Sequence, residues 1–468
     1  MAQAQPVLDP PGPPKRRKWP KVLLILLIIL TVIAAGLGVA GYMLYSKFGQ
    51  ISVVQAPTTS LGSNPESEPL NILLMGSDTR SGKGNNKYGL DAGRGGKRSD
   101  TTILLHVSAD RERALAVSIP RDLWVEQPDC ALAEGELPYF DKFNNAFDAG
   151  GPACTTELVQ EMTGVPVNHI AVVDFAGFKK VVDALGGVEV CLNEAVYDSA
   201  AELDLPAGRS VVSGEQALAF VRARKALGDG SDVGRMERQQ AFLASAIRKA
   251  TDTGLLLNPA RLYSVLDTAT SALTVDQSLD ELGEMRTLAE SVNGIGPDKI
   301  TFTTMPFSYR ADNANLDPDL GKSQELWQAM IDDSPWPAPP SVAPDGKKVT
   351  VPPEDIWVDL TAPPRKIASA AAQLRAAGFN VASQQTEKAS QKTKVVYPPS
   401  QKASARTVAF AAGAAMVSDD SAFSVRLVIG KDFAGINDDV VVSKKSGGNS
   451  NSGNGGQATK ADEELCSG

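Results

Sequence analysis

Asn71-Ile-Leu-Leu-Met-Gly76 runs directly into Ser77-Asp78-Thr79-Arg80, and this junction decides the fold. A continuous apolar run closed by glycine reads as a strand covered on both faces. The polar residues that follow put carboxylate and guanidinium groups at a strand end. Two further runs repeat the arrangement. Thr101–Val107 is preceded by Arg98, Ser99 and Asp100, and Ala114–Ile119 is followed by Pro120, Arg121 and Asp122. In layered α/β domains, strand ends are where ligands sit.

Outward from these runs, strands and helices interleave. Helical patterns cover Thr155–Thr163 and Phe175–Leu185, the second stopped by Gly186-Gly187. Ile170–Val173 and Val188–Leu192 flank that second helix as strands, and Asp174 is placed to cap it. Ser213-Gly-Glu-Gln216 reads as a capping box for a helix through Phe220. Helices are expected over Asp232–Thr251, Pro259–Ala272 and Leu279–Val292, and a late strand over Thr301–Met305. The alternation predicts one α/β layered domain over residues 70–333.

Residues 334–347 hold five prolines and read as a stiff linker. A smaller α+β unit follows over 348–434. It is built from strand Val349–Val351, helix Lys366–Ala377, strand Val395–Tyr397, helix Ala403–Ala412 and strand Val425–Ile429. The tail 435–468 turns Gly-, Ser- and Asn-rich from Ser446 and reads as disordered.

Upstream lies a different chemistry. Residues 1–21 carry Lys15, Arg16, Arg17, Lys18 and Lys21 against Asp9, a balance of +4 within a total of -9. Val22–Tyr45 then contains no charge over 24 residues. As a helix it would span roughly 36 Å, enough for a bilayer core of about 30 Å. It is too long for the apolar region of a cleaved signal peptide, so one N-terminal transmembrane helix is expected. The basic cluster would stay in the cytoplasm. Residues 46–69 form a spacer, and a large extracytoplasmic part follows. The four cysteines, at 130, 154, 191 and 466, lie on that outer side. Three pairings are open; Cys130–Cys154, which would staple one loop, is favoured.

Composition excludes several functions. With two histidines, His106 and His169, a His-rich zinc site is ruled out and a Ser-His-Asp triad has few candidates. Both histidines read as structural, His106 within a strand and His169 in the loop before one. Net acidity argues against nucleic acid as a partner. The 21 residues before the apolar run are too few for a DNA-binding fold. The glycine-rich stretch Gly82–Gly96 is not a phosphate-binding loop, because Gly96-Lys97 is followed by Arg98.

A second polar cluster lies on helices. Arg222 and Arg224 end one helix, and Asp232, Arg235, Arg238 and Gln239 open the next. Asp232, Arg235 and Gln239 share a face by spacing. Taken singly, these arginines would be a solvated helix face. Together with Arg98 and Arg121 they suit a compact polyanion, since guanidinium forks bind phosphate bidentately. Asp78 and Asp100 suit a hard cation such as Mg²⁺, which takes one or two carboxylates plus phosphate oxygens.

Several ordered segments, NILLMGSDTR, RSDTTILLHV, AVSIPRD, DKFNNAF, VVDFAGFKKVVDALGGVEV, SGEQALAFVRAR and DVGRMERQQAFL, resemble the LytR–CpsA–Psr family of bacterial cell-wall proteins. The likeness covers about residues 70–250. The tail unit, with AAAQLRAAGFNV, TKVVYPP and VRLVIGKDFAG, resembles the LytR C-terminal domain. Where that domain has a Leu-Asn-Gly-Ser-like turn, this chain has Val358-Asp-Leu-Thr-Ala-Pro-Pro.

The resemblance implies an α/β/α sandwich with a mixed β-sheet and an apolar pocket for a lipid. It implies a membrane-anchored phosphotransferase. Such an enzyme moves a glycopolymer from a polyprenyl-pyrophosphate carrier onto peptidoglycan as a phosphodiester. A polyprenyl-pyrophosphate phosphatase and a membrane-tethered transcriptional attenuator are the alternatives. Carried over by motif, Asp78 and Asp100 would hold Mg²⁺ (or Mn²⁺). Arg98, Arg121, Arg222, Arg224, Arg235 and Gln239 would bind the pyrophosphate, with Lys142 as a further candidate. Asp232 would support those arginines. Arg121, Asp100 and Arg98 would be the catalytic group, and Asp100 or Asp122 could take the acceptor's proton.

Overall fold

The computed structural model describes residues 52–61, 67–78, 98–133, 136–198, 202–223, 232–251, 271–280, 295–312, 314–443 and 458–460, with short pieces between 264 and 288. The apolar segment 22–45, the stretch Gly82–Gly96, Arg224 and Cys466 lie outside the described residues. Among those described, no helix is long and apolar enough to cross a membrane.

The apolar runs form the middle of an eight-stranded mixed sheet. Its strands are β1 (Ser52–Val54), β2 (Leu70–Ser77), β3 (Ser99–Val107), β4 (Ala114–Ile119), β7 (His169–Asp174), β12 (Leu273–Asp276), β13 (Ile300–Thr304) and β21 (Ala458–Lys460), in the order β1-β12-β7-β2-β3-β4-β13-β21. Strand β2 lies antiparallel to β3 and parallel to β7, and β4 lies parallel to β13. The remaining strands of this unit form two-stranded pairs. They are β5 (Trp124–Glu126) with β6 (Phe140–Lys142), β8 (Val188–Leu192) with β11 (Gly208–Val212), β9 (Val196–Asp198) with β10 (Leu203–Leu205), and β14 (Phe307–Tyr309) with β15 (Leu316–Pro318).

Side-chain alternation makes the sheet the middle of three layers. Leu73, Met75, Leu104, Val117 and Ile119 face a core built with α1 (Asn145–Thr163) and α5 (Leu320–Ile331). Ile72, Ile103, Ala114, Ala116 and Phe302 face the other way, toward Ala244 of α4 (Asp232–Ala250). Small side chains on both partners let that helix lie close. A third cluster joins α2 (Phe175–Leu185) and α3 (Gly214–Arg222) to β8–β11 and to Phe242. The expected α/β/α arrangement is what forms.

Several local expectations change. α1 begins at Asn145, ten residues before the expected start. It bends at Gly151 (φ 68°), a backbone state that favours glycine, just before Pro152. Ser213 stands at the N-cap of α3 but makes no side-chain capping bond, so the expected capping box with Gln216 does not form; Glu215 of the first turn pairs with Lys179 at 2.8 Å. The expected helix at Leu279 starts as a 3₁₀ turn, Gln277–Asp280, directly after the unforeseen strand β12. Asp174 does cap α2, accepting from the Gly177 N–H at 2.7 Å.

His169 is the first residue of β7 rather than a loop residue, buried beside Asp276. Burial alone would raise the Asp276 carboxyl, but hydrogen bonds from His169, Ser278 and the Ile170 N–H hold it below its ordinary range. His106 is structural as expected, with Nδ1 2.8 Å from Asn71 Oδ1 and Nε2 3.1 Å from Asp333. Burial lowers its pKa despite the Asp333 carboxylate.

Cys130 and Cys154 form a disulfide, with Cα atoms 5.7 Å apart, that ties the segment after β5 to α1. Cys191 is disulfide-bonded as well. The 130–154 bond closes a loop of 24 residues, and loop-closure entropy gives it about 3.5 kcal/mol. Cys154→Ser with Cys130→Ser is therefore expected to lower the urea midpoint markedly. A midpoint equal to that of the parent would contradict a stabilising role.

The C-terminal unit is a five-stranded sheet of order β17-β16-β20-β18-β19 with two helices. Its strands are β16 (Trp357–Ala362), β17 (Asn380–Thr386), β18 (Lys394–Tyr397), β19 (Ala415–Ser418) and β20 (Val425–Val428), and its helices α6 (Ile367–Ala376) and α7 (Lys402–Ala411). The segment that departs from the expected turn, Val358-Asp-Leu-Thr, lies within β16, next to the middle of the sheet. Val358 and Leu360 are buried, and Pro363-Pro364 follow where the strand ends.

Val349–Val351 is not a strand. Residues 341–349 double back instead, with the Val349 N–H on the Ser341 carbonyl and Val349 fully buried. The proline-rich segment is thus partly folded onto the second unit, where Arg406 pairs with Asp345 at 2.8 Å. Part of the tail expected to be disordered is also packed. Ile436 and Val440 lie against the second core, and residues 458–460 add an edge strand to β13. Val349, Ile436 and Val440 share one cause, apolar side chains in polar stretches covering core surface, whereas 458–460 satisfy a sheet edge by backbone pairing.

Candidate active site

Register places the predicted polar residues at one end of the sheet. Ser77 of β2 stands opposite Ser99 of β3 and beside Asp174 of β7. Ile119 of β4 pairs with Thr102 of β3, so Arg121 and Asp122 emerge at the same end. Gly76 sits where a Cβ would come within 3.3 Å of the Thr101 Cβ, which explains the glycine that closes the first run.

Between β2 and β3 the pairing slips by one residue. Gly76 faces Thr101 and Ser77 faces Ser99, so Asp100 is the extra residue of a β-bulge. Bulges re-aim a side chain and concentrate beside functional sites. Just beyond it, Asp78 and Arg98 clasp each other. The Asp78 N–H donates to the Arg98 carbonyl at 2.9 Å, and Asp78 Oδ1 accepts from the Arg98 N–H at 2.8 Å.

The re-aimed carboxylate meets Arg121. Arg121 Nη1 donates to Asp100 Oδ1 at 2.6 Å and Nε to Asp122 Oδ2 at 3.1 Å. The second Asp122 oxygen accepts from Lys142 Nζ at 2.8 Å. Asp100, Arg121, Asp122 and Lys142 are therefore one alternating chain of charges. Asp122 is 8% exposed and Asp100 33%, so Asp100 is the carboxylate that solvent reaches. Lys142 arrives because the β5–β6 hairpin pairs Trp124 with Lys142.

The helical cluster reaches the same end. Gln239 Oε1 accepts from Thr101 Oγ1 at 3.1 Å, next to the bulge, while its Nε2 donates to the Val221 carbonyl at 3.2 Å. Gln239 thus bridges β3, α4 and α3, with one bond to protein at each end of its amide. Arg238 Nη2 donates to the Ala223 carbonyl at 2.8 Å, holding the end of α3. Arg235 lies one turn nearer the start of α4 and is 4% exposed. Asp232 is the first residue of α4. Arg222 reaches across to the start of α2, its guanidinium 4.7 Å from the Phe175 ring centroid.

The sequence did not single out Thr101 or Phe175. Phe175 follows the strand-end residue Asp174 directly, and that position was its only signal.

A cavity of about 490 Å³ opens at this end of the sheet, walled by Val53, Phe147, Val172 and Leu273 together with the charged Asp174 and Lys180. The bend in α1 at Gly151 contributes to its wall. Among the described residues no group of three or more Asp, Glu, His or Cys could enclose a metal by itself.

The LytR_cpsA_psr family model matches residues 45–331, more than half of the chain, and the protein belongs to this family. A second model, described as LytR cell envelope-related transcriptional attenuator, matches residues 361–433. The probable cell wall biosynthesis protein LcpB of Corynebacterium glutamicum is 37% identical over 52% of this chain and 55% of its own length. The chain thus spans little more than half the length of that relative. A polyisoprenyl-teichoic acid–peptidoglycan teichoic acid transferase, TagU of Oceanobacillus iheyensis, is 30% identical over 58% of this chain and 82% of its own. A LytR-Csp2A-Psr enzyme from Actinomyces oris covers 60% of the chain at 22% identity, with a TM-score of 0.46.

Proposed function

We propose that this chain is a phosphotransferase of cell-wall biogenesis. It would move a glycopolymer from a polyprenyl-pyrophosphate carrier onto peptidoglycan as a phosphodiester. The observation that carries this reading is the row Asp100–Arg121–Asp122–Lys142, completed by Arg222 and Arg235. It concentrates fixed cations at the strand ends of a protein whose net charge is -9. The name of the TagU relative supports it.

Arg98, Arg121, Arg222, Arg224 and Arg235 would bind the pyrophosphate oxygens, and Lys142 would add a point charge. Asp122 holds Arg121 and Lys142 in place. Gln239 and Asp232 would act by fixing the helix that presents Arg235. The attacking group is a sugar hydroxyl, so no protein nucleophile is required. Transition-state charge on the phosphoryl oxygens meets guanidinium groups already in position. Asp100, the more exposed carboxylate, is the better placed to receive the hydroxyl proton.

Asp78 and Asp100, at adjoining strand ends, are the hard oxygen donors that Mg²⁺ or Mn²⁺ takes together with phosphate. Two carboxylates without a third match a cation whose remaining ligands come from substrate and water. The bound cation would neutralise charge on the pyrophosphate.

The cavity beside β1 and β7 would take the polyprenyl chain. Its wall includes Val53, eight residues past the end of the apolar segment 22–45. That distance is about 29 Å at full extension, which would keep the cavity near the membrane if that segment spans it. The full chain, extracted in detergent, is therefore expected to carry polyprenyl phosphate or pyrophosphate. Mass spectrometry of the copurifying lipid tests this, and bulk phospholipid alone would count against it.

A further inference from the structure

A second cavity, of about 570 Å³, is bounded by the β5–β6 hairpin, by β15 and by the second half of α1. Its size is within the range of about 300–1,000 Å³ typical of ligand sites. Nothing derived so far uses it. The β5–β6 hairpin supplies one wall. Trp124 pairs with Lys142 and Glu126 with Phe140, so these four side chains stand on one face of the hairpin. Lys142 belongs to the Asp122–Arg121 chain. Phe140, two residues earlier on the same strand, lines the cavity, about 7 Å along. The cavity is therefore linked to the charged row along a single strand, β6.

Its lining combines three kinds of group. Trp124 and Phe140 are aromatic, and Phe140 is 57% exposed. Arg310 lies over the Trp124 ring, 5.0 Å from its centroid, and is fixed by Asp317 at 2.8 Å. Glu126 and Glu161 supply carboxylates. Burial, with Glu157, Asp129 and Glu126 nearby, pushes the Glu161 carboxyl up. Gln127, also in the wall, donates from Nε2 to the Asp141 and Lys142 carbonyls at 3.3 Å, and its Oε1 has no partner among the described residues. Aromatic faces suit the C–H faces of sugar rings, and carboxylates accept from hydroxyls. Surplus negative charge disfavours phosphate.

We infer that this cavity between β5–β6, β15 and α1 is the subsite for sugar rings of the acceptor glycan, the peptidoglycan strand that receives the phosphoryl-linked polymer. The inference rests on the phosphotransferase reading and adds the place of the second substrate. Geometry selects the acceptor over the donor. In-line displacement puts the attacking hydroxyl opposite the leaving polyprenyl phosphate. The lipid cavity is lined by β1, β12 and β7, and the aromatic cavity by the β5–β6 hairpin that follows β4. The two therefore adjoin the charged row through different strands, the first beside Ser77 and the second through Lys142.

The test is calorimetric titration of the full chain in detergent with a peptidoglycan tetrasaccharide bearing its stem peptides. Phe140→Ala and Glu161→Gln are measured alongside the parent. Each variant is expected to weaken binding about tenfold. Each should raise the acceptor KM in a transfer assay by a similar factor, with the KM for the lipid-linked donor unchanged. Unchanged tetrasaccharide affinity in both variants, or no binding by the parent chain, overturns the inference. A raised donor KM with unaltered tetrasaccharide binding overturns it too, by giving the cavity to the donor glycan. Binding that is lost in the variants while the parent transfers nothing would support the subsite and count against the phosphotransferase reading alone.

Discussion

Arg121→Ala is expected to reduce transfer of a lipid-pyrophosphate-linked glycan to peptidoglycan by a factor of about 10²–10³, the usual cost of one preorganised charge donor at a reacting centre. The size of the effect follows from the position of the side chain. Arg121 is held on one side by Asp100 and on the other by Asp122, at 2.6 and 3.1 Å. Its orientation is fixed before substrate arrives, so no reorganisation is needed as charge develops. Truncation also leaves Asp122, 8% exposed, with Lys142 as its remaining cationic partner among the contacts described above, so some loss of stability is expected as well. Arg121→Lys separates the two effects. It keeps the charge but not the fork, and should restore the melting temperature more fully than the rate. A rate within threefold of the parent for Arg121→Ala would remove this residue from the site.

Asp100→Asn is expected to lower the rate about 100-fold and to raise the Mg²⁺ concentration for half-maximal rate at least tenfold, on the scale of losses when a metal site is altered. Asp100 has two assignments that this variant distinguishes. As the partner of Arg121 it positions a guanidinium; as a metal ligand it sets cation affinity. Positioning alone would lower the rate without moving the Mg²⁺ dependence. High Mg²⁺ should recover part of the lost activity if Asp100 is a ligand. An unshifted Mg²⁺ titration contradicts that role. With the side chain one-third exposed on a bulge, the fold should tolerate the change.

Much of the site was legible because strand-end chemistry is local. An apolar run bounded by Asp or Arg states both the strand and what it delivers, and β2, β3 and β4 each read correctly in this way. What was not legible is how those ends adjust to one another. The bulge at Asp100 depends on a register slip between strands joined by 21 residues, and no residue type announces it. Lys142 meets Asp122 through a hairpin closed 20 residues away, and Gln239 meets Thr101 across 138. Single-strand periodicity carries no trace of either contact.

Polar residues inside strands disguise them elsewhere. Asp359 interrupts the apolar pattern of Trp357–Ala362 and hid strand β16; it is accommodated by the hydroxyls of Ser383 and Ser424. His169 looked like a loop residue because its partner, Asp276, lies 107 positions on. The proline-rich stretch reads as a stiff linker, yet Ala343 within it and Val349 beside it are buried. Composition describes what a segment disfavours, not which surface it meets.

The central claim is that the arginine row transfers a phosphoryl-linked glycan between two carriers. It is tested most directly by incubating the full chain with a polyprenyl-pyrophosphate-linked glycan, labelled in the sugar, and a soluble peptidoglycan oligomer in Mg²⁺. The account predicts label on the oligomer through a phosphodiester, with one polyprenyl phosphate released per glycan joined. Glycan phosphate released into water at the same rate with and without the oligomer, and no label on the oligomer, would contradict it.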